Sequence, residues 1–214
     1  MIAVITGDIV ASRKLVSQEK WMKPLKKLLS TWGKRDKDWI LYNGDYFQVE
    51  INKPTEVLKK ALEIKALIKK VEPLDDRKKI STIDVRMAIG IGEKTYTGAV
   101  ITENNGPAYI NAGEKYELKK KENITLSITS PWQTLDEEMN LYLKLAGIFM
   151  DKWSVSSAEL VQIILKNPTI TQEEIGNLLG IKQNSVSGRW NRAHINEILE
   201  VENMFRKKLE KLLP

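Results

Sequence analysis

The sequence predicts an α+β protein built from two domains. In residues 1–131, short apolar runs typical of strands alternate with segments whose apolar residues recur at helical spacing. From residue 132 to residue 214, every periodic segment has helical spacing. A length of 214 residues, 42% of them hydrophobic, is enough to bury two small cores. We therefore expect a mixed domain at 1–131 followed by an all-α domain at 132–214.

The order of elements in the first domain predicts a ferredoxin-like topology. Asn43 and Gly44 separate two strand-like runs, which is the strongest short signal for a hairpin. The predicted order is a strand at 2–5, a helix at 17–33, the hairpin at 39–51, a helix at 55–71 and a strand at 83–91. This is the βαββαβ order of ferredoxin-like domains. A short strand from Gly98 should follow, and then an extra helix at 108–121 and a closing strand at 124–128.

Composition excludes several kinds of site. The chain has no cysteine, which excludes disulfides, thiolate metal sites and a cysteine nucleophile. Its single histidine, His194, cannot by itself form a histidine-based site. No apolar stretch is long enough for a membrane span and the start lacks a basic signal region, so we expect a cytoplasmic protein. The net charge of +6 comes from lysine clusters before Pro131, which we interpret as solvated helix faces.

Two aspartates form a candidate metal and phosphate site. Asp8 ends the first strand and Asp45 follows the hairpin turn. The first and third strands are neighbours in a ferredoxin-like sheet, so both carboxylates should reach one edge. Such oxygen ligands suit Mg²⁺ or Mn²⁺. Ser12, Arg13 and Lys14 add a hydroxyl and two cations that could hold a phosphate. The alternative is a solvated aspartate in a strand-to-helix turn.

The segment around residues 157–194 carries the pattern of a helix-turn-helix. Thr171 and Glu174 form a capping box at the start of its middle helix. Gly176 leaves room for a second helix to cross closely, and Gly180 can adopt the left-handed turn. The apolar positions that would fill the space between the helices are Ile175, Leu179, Ile181 and Val186.

The helix after Gly180 has the composition of a DNA-reading helix. It contains no acidic residue and mixes amides that can read base edges with cations that can bind phosphates. DNA is therefore the expected partner, and a helical hairpin that binds no DNA is the alternative. The candidate DNA-binding residues are Lys182, Gln183, Asn184, Ser185, Ser187, Arg189 and Arg192.

Two further helices could pack internally or mediate assembly. The apolar face that begins at Leu135 and ends at Trp153 could be core or the seam of a homodimer. Ser156 and Ser157 are expected to cap the next helix. The C-terminal helix at 195–213 could be a dimer arm or could fold back on the domain.

Four motifs give the first domain a resemblance to class III nucleotidyl cyclase domains. They are VITGDIVASRK, NGDYFQ, VRMAIGIG and GPAYINAGEKYE, in the order and approximate spacing of that family, within roughly residues 1–130. With the C-terminal segment included, the whole chain is similar to the SatD family.

The cyclase resemblance implies roles for particular residues. Asp8, Asp45 and the carbonyl of Ile9 would be metal ligands, and Gly44 would lie at the bound cofactor. Asn111 would orient the nucleotide, and Lys115 would replace the transition-state arginine without its bidentate fork. At the position of the adenine-reading lysine the chain carries Leu41.

These features together predict a DNA-binding regulatory protein with a metal- and nucleotide-binding, cyclase-like domain. One alternative is an active, divalent-metal-dependent nucleotidyl cyclase whose helical domain serves assembly. Another is a scaffold in which both motifs are inert.

Overall fold

A computed structural model describes residues 1–15, 17–42, 44–73, 79–122 and 124–213. The α+β class is confirmed, although Asn43 of the predicted hairpin turn lies outside the described residues. Within them there are five strands: β1 (Ile2–Val10), β2 (Trp39–Tyr42), β3 (Tyr46–Ile51), β4 (Asp84–Gly92) and β5 (Leu126–Thr129). The same residues form eight α-helices: α1 (Glu19–Ser30), α2 (Val57–Lys69), α3 (Pro107–Glu122), α4 (Gln133–Met150), α5 (Val155–Lys166), α6 (Gln172–Leu179), α7 (Gln183–Ala193) and α8 (Ile195–Leu212).

All five strands belong to one mixed sheet with the order β2-β3-β1-β4-β5. The pair β4 and β5 is parallel, and the other neighbouring pairs are antiparallel. The predicted pairing of β1 with β3 is confirmed. In this register Asp8 lies between Tyr46 of β3 and Arg86 of β4. The end of β1 is therefore flanked by strands on both sides.

The two faces of the sheet are covered by different helices, because successive strand residues point to opposite sides. Val4 packs with Ala108 and Ala112 of α3, whereas Ile5 belongs to the cluster that includes α1, α2 and the C-terminal helices. Gly90 permits the close approach of α3, since a Cβ there would lie 2.1 Å from the carbonyl oxygen of Ala108. The helix that covers the Val4 face also covers Asp8, which shares that face.

A buried ionic cluster joins the sheet to the C-terminal helices. Lys65 of α2 is fully buried, and its Nζ lies 3.0 Å from Asp84 Oδ1 and 2.6 Å from Asp151 Oδ1. Lys69 adds a second cation, 3.3 Å from Asp84 Oδ2. Because Asp84 opens β4 and Asp151 follows α4, the cluster links three elements.

The predicted strand from Gly98 is wrong. This segment forms one isolated bridge, between Tyr96 and Asn105, and a 3₁₀ turn at Ile101–Glu103. The Asn104 side chain accepts the Gly98 N–H at 2.9 Å, and Glu103 accepts the N–H of the next residue at 2.7 Å. These side chains use the backbone donors that a neighbouring strand would need.

One helix start differs from the sequence expectation, and the C-terminal helix follows one of the two alternatives left open. Ser154, not Ser156 or Ser157, caps α5 by accepting the Ser157 N–H at 3.1 Å. The helix α8 folds back against α4 and α2 and does not project as an arm. No helix among the described residues combines the length and apolar character required to cross a bilayer.

Candidate functional site

Asp8 and Asp45 meet at one edge of the sheet, as their topology predicts. The Ile9 N–H donates to the Asp45 carbonyl at 3.1 Å, and Asp8 lies opposite Tyr46. The Ile9 side chain is buried in the core. We call Asp8, Ser12 and Asp45 the sheet-edge site.

The Asp8 carboxylate is already engaged by protein groups. Arg86 Nη1 lies 3.6 Å from Asp8 Oδ1, and both side chains are largely buried. Tyr116 of α3 is hydrogen-bonded to Asp8, and burial followed by the negative charge of Asp8 raises the pKa of Tyr116. The Tyr46 ring meets Tyr116 edge-on, with ring centroids 5.3 Å apart. Arg86 and Tyr116 therefore both interact with this carboxylate, and Tyr46 packs against Tyr116.

Asp45 is held by the turn that follows β1. Ala11 has a φ of 60°, which turns the chain into the short 3₁₀ helix at Ser12–Lys14. Buried Ser12 then donates from its Oγ to Asp45 Oδ2 at 2.6 Å. Arg13 and Lys14 are exposed in the same turn, where they can meet an anion. Gly44 is also exposed, with a φ of 89° that favours glycine.

Protein groups compete with a divalent cation for Asp8 in this arrangement. Asp8 faces the Arg86 guanidinium, whereas Asp45 accepts from Ser12 at Oδ2 and keeps its other carboxylate oxygen. Among the described residues there is no group of three or more histidine, aspartate or glutamate side chains that could hold a metal ion. The guanidinium supplies the positive charge next to Asp8 that a metal would otherwise provide.

Asn111 and Lys115 are not brought to the sheet-edge site within one chain. Asn111 donates from Nδ2 to the Ile91 carbonyl at 3.1 Å. Ile91 is five residues along β4 from Arg86, which corresponds to roughly 16 Å at the usual rise of a strand. Lys115 interacts electrostatically with Asp136 instead. Burial raises the pKa of Asp136, and the hydrogen bonds from Ser130 and the positive charge of Lys115 partly oppose that rise.

Sequence reasoning missed Arg86 and Tyr116, which are the closest described partners of Asp8. Arg86 reads as a polar residue within a strand, and Tyr116 as part of an amphipathic helix. The relation between Arg86 and Asp8 becomes visible only in the strand register that places these two residues opposite each other.

The start of α6 and the turn between α6 and α7 have the geometry that their residues predict. The Thr171 and Glu174 capping box is present, with the Glu174 N–H donating to Thr171 Oγ1 at 3.2 Å and the Thr171 N–H donating to Glu174 Oε2 at 2.7 Å. Gly180 has a φ of 64°. A Cβ on Gly176 would lie 2.8 Å from the Ile181 carbonyl oxygen, so the close crossing requires glycine. Val186 is buried in the core.

Most of the predicted DNA-binding side chains lie on the exposed surface of α7. Ser187 is half-buried, and so is Arg189, whose Nη1 lies 3.5 Å from Glu159 Oε2 of α5. Lys70 contacts the other oxygen of Glu159 at 3.5 Å. Arg189 is therefore partly committed to holding α7 against α5. The exposed members are Lys182, Gln183, Asn184, Ser185 and Arg192.

The scan against family models, the search of curated proteins and the search of solved structures each found no match to this chain.

Proposed function

We propose that the protein, which resembles the SatD family, is a DNA-binding regulator. In this proposal α6 and α7 form a helix-turn-helix, α7 is the recognition helix, and the N-terminal part is a ferredoxin-like, cyclase-like domain. The observation that carries it is the composition of α7, whose first turn is exposed and polar and whose 11 residues include two arginines and no acid.

The chemistry of α7 suits the major groove. Gln183 and Asn184 are exposed in its first turn, where recognition helices present side chains to base edges. Lys182 stands at the N-cap, and the N–H groups of a helix N-terminus favour a phosphate. Arg192, in the last turn of α7, is exposed and can contact the DNA backbone. Packing inside the domain would not by itself explain why all 11 residues of α7 are non-acidic.

Fluorescence anisotropy with duplex fragments, at a series of salt concentrations, tests this function. Arg192→Ala should weaken binding to all duplexes and lower the salt slope by about one unit. Asn184→Ala should cost roughly 1–3 kcal/mol on the preferred sequence only. The matched control is Lys207→Ala, which removes an exposed cation from α8 and should leave the slope unchanged. Failure of the wild-type protein to bind any genomic fragment at low salt would refute the proposal.

We further propose that a nucleotide or a related phosphate compound binds near the sheet-edge site and changes DNA affinity. Exposed Arg13 and Lys14 beside Asp45 support phosphate binding at this edge. The DNA titration repeated with each nucleoside triphosphate tests the link. Equal affinities with and without every nucleotide would remove this regulatory role and leave DNA binding intact.

Metal-dependent cyclisation of a nucleoside triphosphate is the second candidate function. It is favoured by the position of Asp45, directly before β3 and next to the end of β1 that carries Asp8, and opposed by Arg86, which lies against Asp8. Purified protein with Mn²⁺ should then release pyrophosphate from a triphosphate, and Asp45→Asn should abolish the release. No turnover with any of the four common triphosphates would rule the activity out.

A further inference from the structure

The helix α4 has a second apolar face that the described part of the chain leaves largely exposed. Its inner side is buried in the core, whereas Leu141, Leu145 and Ile148 are 55%, 53% and 63% exposed. Spacings of four and three residues place these three side chains on one side of the helix. We call them the outer face of α4. Large apolar side chains grouped in this way mark an interaction site more often than isolated ones do.

The surroundings of the outer face favour a partner that docks through side chains. A groove of about 420 Å³ beside Ile148 is lined in part by Ile124 and Leu126 at the edge of the sheet. The edge strand β5 is blocked at Ile128, because the Asn140 side chain accepts its N–H at 2.9 Å and donates to its carbonyl at 2.8 Å. Addition of a foreign strand there would break both bonds.

Charges at the two ends of the outer face identify the partner. Glu137 lies at the N-terminal end and Lys152 at the C-terminal end, and both are exposed. A two-fold axis passing between Lys144 and Leu145 exchanges Leu141 with Ile148 and Glu137 with Lys152. A second copy of α4, placed antiparallel, thus puts Leu141 opposite Ile148 and Glu137 opposite Lys152, and it brings Leu145 and Lys144 of both copies to the axis.

We propose that the outer face of α4 is the interface of a symmetric homodimer. A two-fold interface uses the same patch on both subunits, so the patch must be complementary to itself. The outer face meets this condition in both its apolar residues and its charges. The inference does not depend on DNA or nucleotide binding.

Sedimentation velocity on the full chain tests the interface. The wild-type protein should be a dimer at about 100 µM, where even a micromolar Kd gives nearly complete association. Leu145→Glu should make it monomeric. Leu178→Glu is the matched control, because Leu178 is 65% exposed but lies on α6, and this variant should remain dimeric. Circular dichroism establishes that each variant is folded.

Charge reversal tests the antiparallel arrangement separately. Glu137→Lys and Lys152→Glu should each raise the dimer Kd by about tenfold or more, since like charges then meet twice in each dimer. The double variant should restore the wild-type Kd. A monomeric wild type would overturn the proposal and leave the outer face to a different protein. A dimer that survives Leu145→Glu, or a double variant that is not restored, would overturn it too.

Discussion

Replacing Lys65 with methionine tests whether the buried ionic cluster holds the sheet to the C-terminal helices. Lys65 donates two charge-assisted hydrogen bonds, at 3.0 Å to Asp84 and 2.6 Å to Asp151, and such bonds contribute about 1.5–3 kcal/mol each. In this variant Asp84 keeps Lys69 as a partner. The Asp151 side chain is 40% exposed, so water replaces part of the hydrogen bonding that Asp151 loses. We expect Lys65→Met to lower the free energy of unfolding by about 3 kcal/mol, at the low end for breaking a buried ion pair.

Urea unfolding followed by tryptophan fluorescence measures this loss. Trp153 is a suitable probe because it is buried close to Asp151 and donates from Nε1 to the Ala193 carbonyl at 3.1 Å. The control Lys207→Met changes an exposed residue and should stay within about 0.5 kcal/mol of the wild type. A loss below about 1 kcal/mol for Lys65→Met would show that the cluster is not a stabilising link.

Three further predictions concern the close approach of α3, the cation beside Asp8 and a buried acid. Gly90→Ala should destabilise by at least about 1–3 kcal/mol in urea, since the new Cβ meets backbone, whereas Gly113→Ala in open space on α3 should stabilise by roughly 0.5–1 kcal/mol. Arg86→Ala should raise the affinity for Mn²⁺ in calorimetric titration, and unchanged affinity would show that Arg86 does not compete with a metal. Burial raises the pKa of Glu202 above its ordinary value of 4.5, so its ionisation costs stability as the pH rises through the folded-state pKa. Glu202→Gln should therefore stabilise at pH 7, and the gain should disappear below pH 4.5; a gain that is equal at both pH values would contradict this.

The placement of the two aspartates could be predicted because it depends on topology alone. Strand periodicity and the hairpin signal near Gly44 indicate that β1 lies beside β3, and this brings Asp8 and Asp45 to one edge. The side-chain partners could not be predicted in the same way. Which residue of β4 faces Asp8 depends on the register between strands distant in sequence, and a shift of one residue would turn Arg86 to the other face.

The helical half shows a similar limit. Local signals were sufficient for the capping box at Thr171 and the left-handed turn at Gly180, because each depends on residues a few positions apart. The apolar face of α4 from Leu135 to Trp153 was recognisable from its helical spacing, but the sequence left open whether it is core or a dimer seam. The structure buries this face in the core, and the second apolar set that includes Leu141 was not singled out from the sequence.

The contact between Tyr116 and Asp8 connects the sheet-edge site to α3. The first half of α3 is fixed to the sheet, because Tyr109 donates to buried Glu50 and the backbone of α3 packs on Gly90. Its second half carries Tyr116 and leads into β5, which Asn140 ties to α4. A compound that displaces Tyr116 from Asp8 would disturb the half of α3 that leads into β5, and through β5 and Asn140 this disturbance has a direct route to α4.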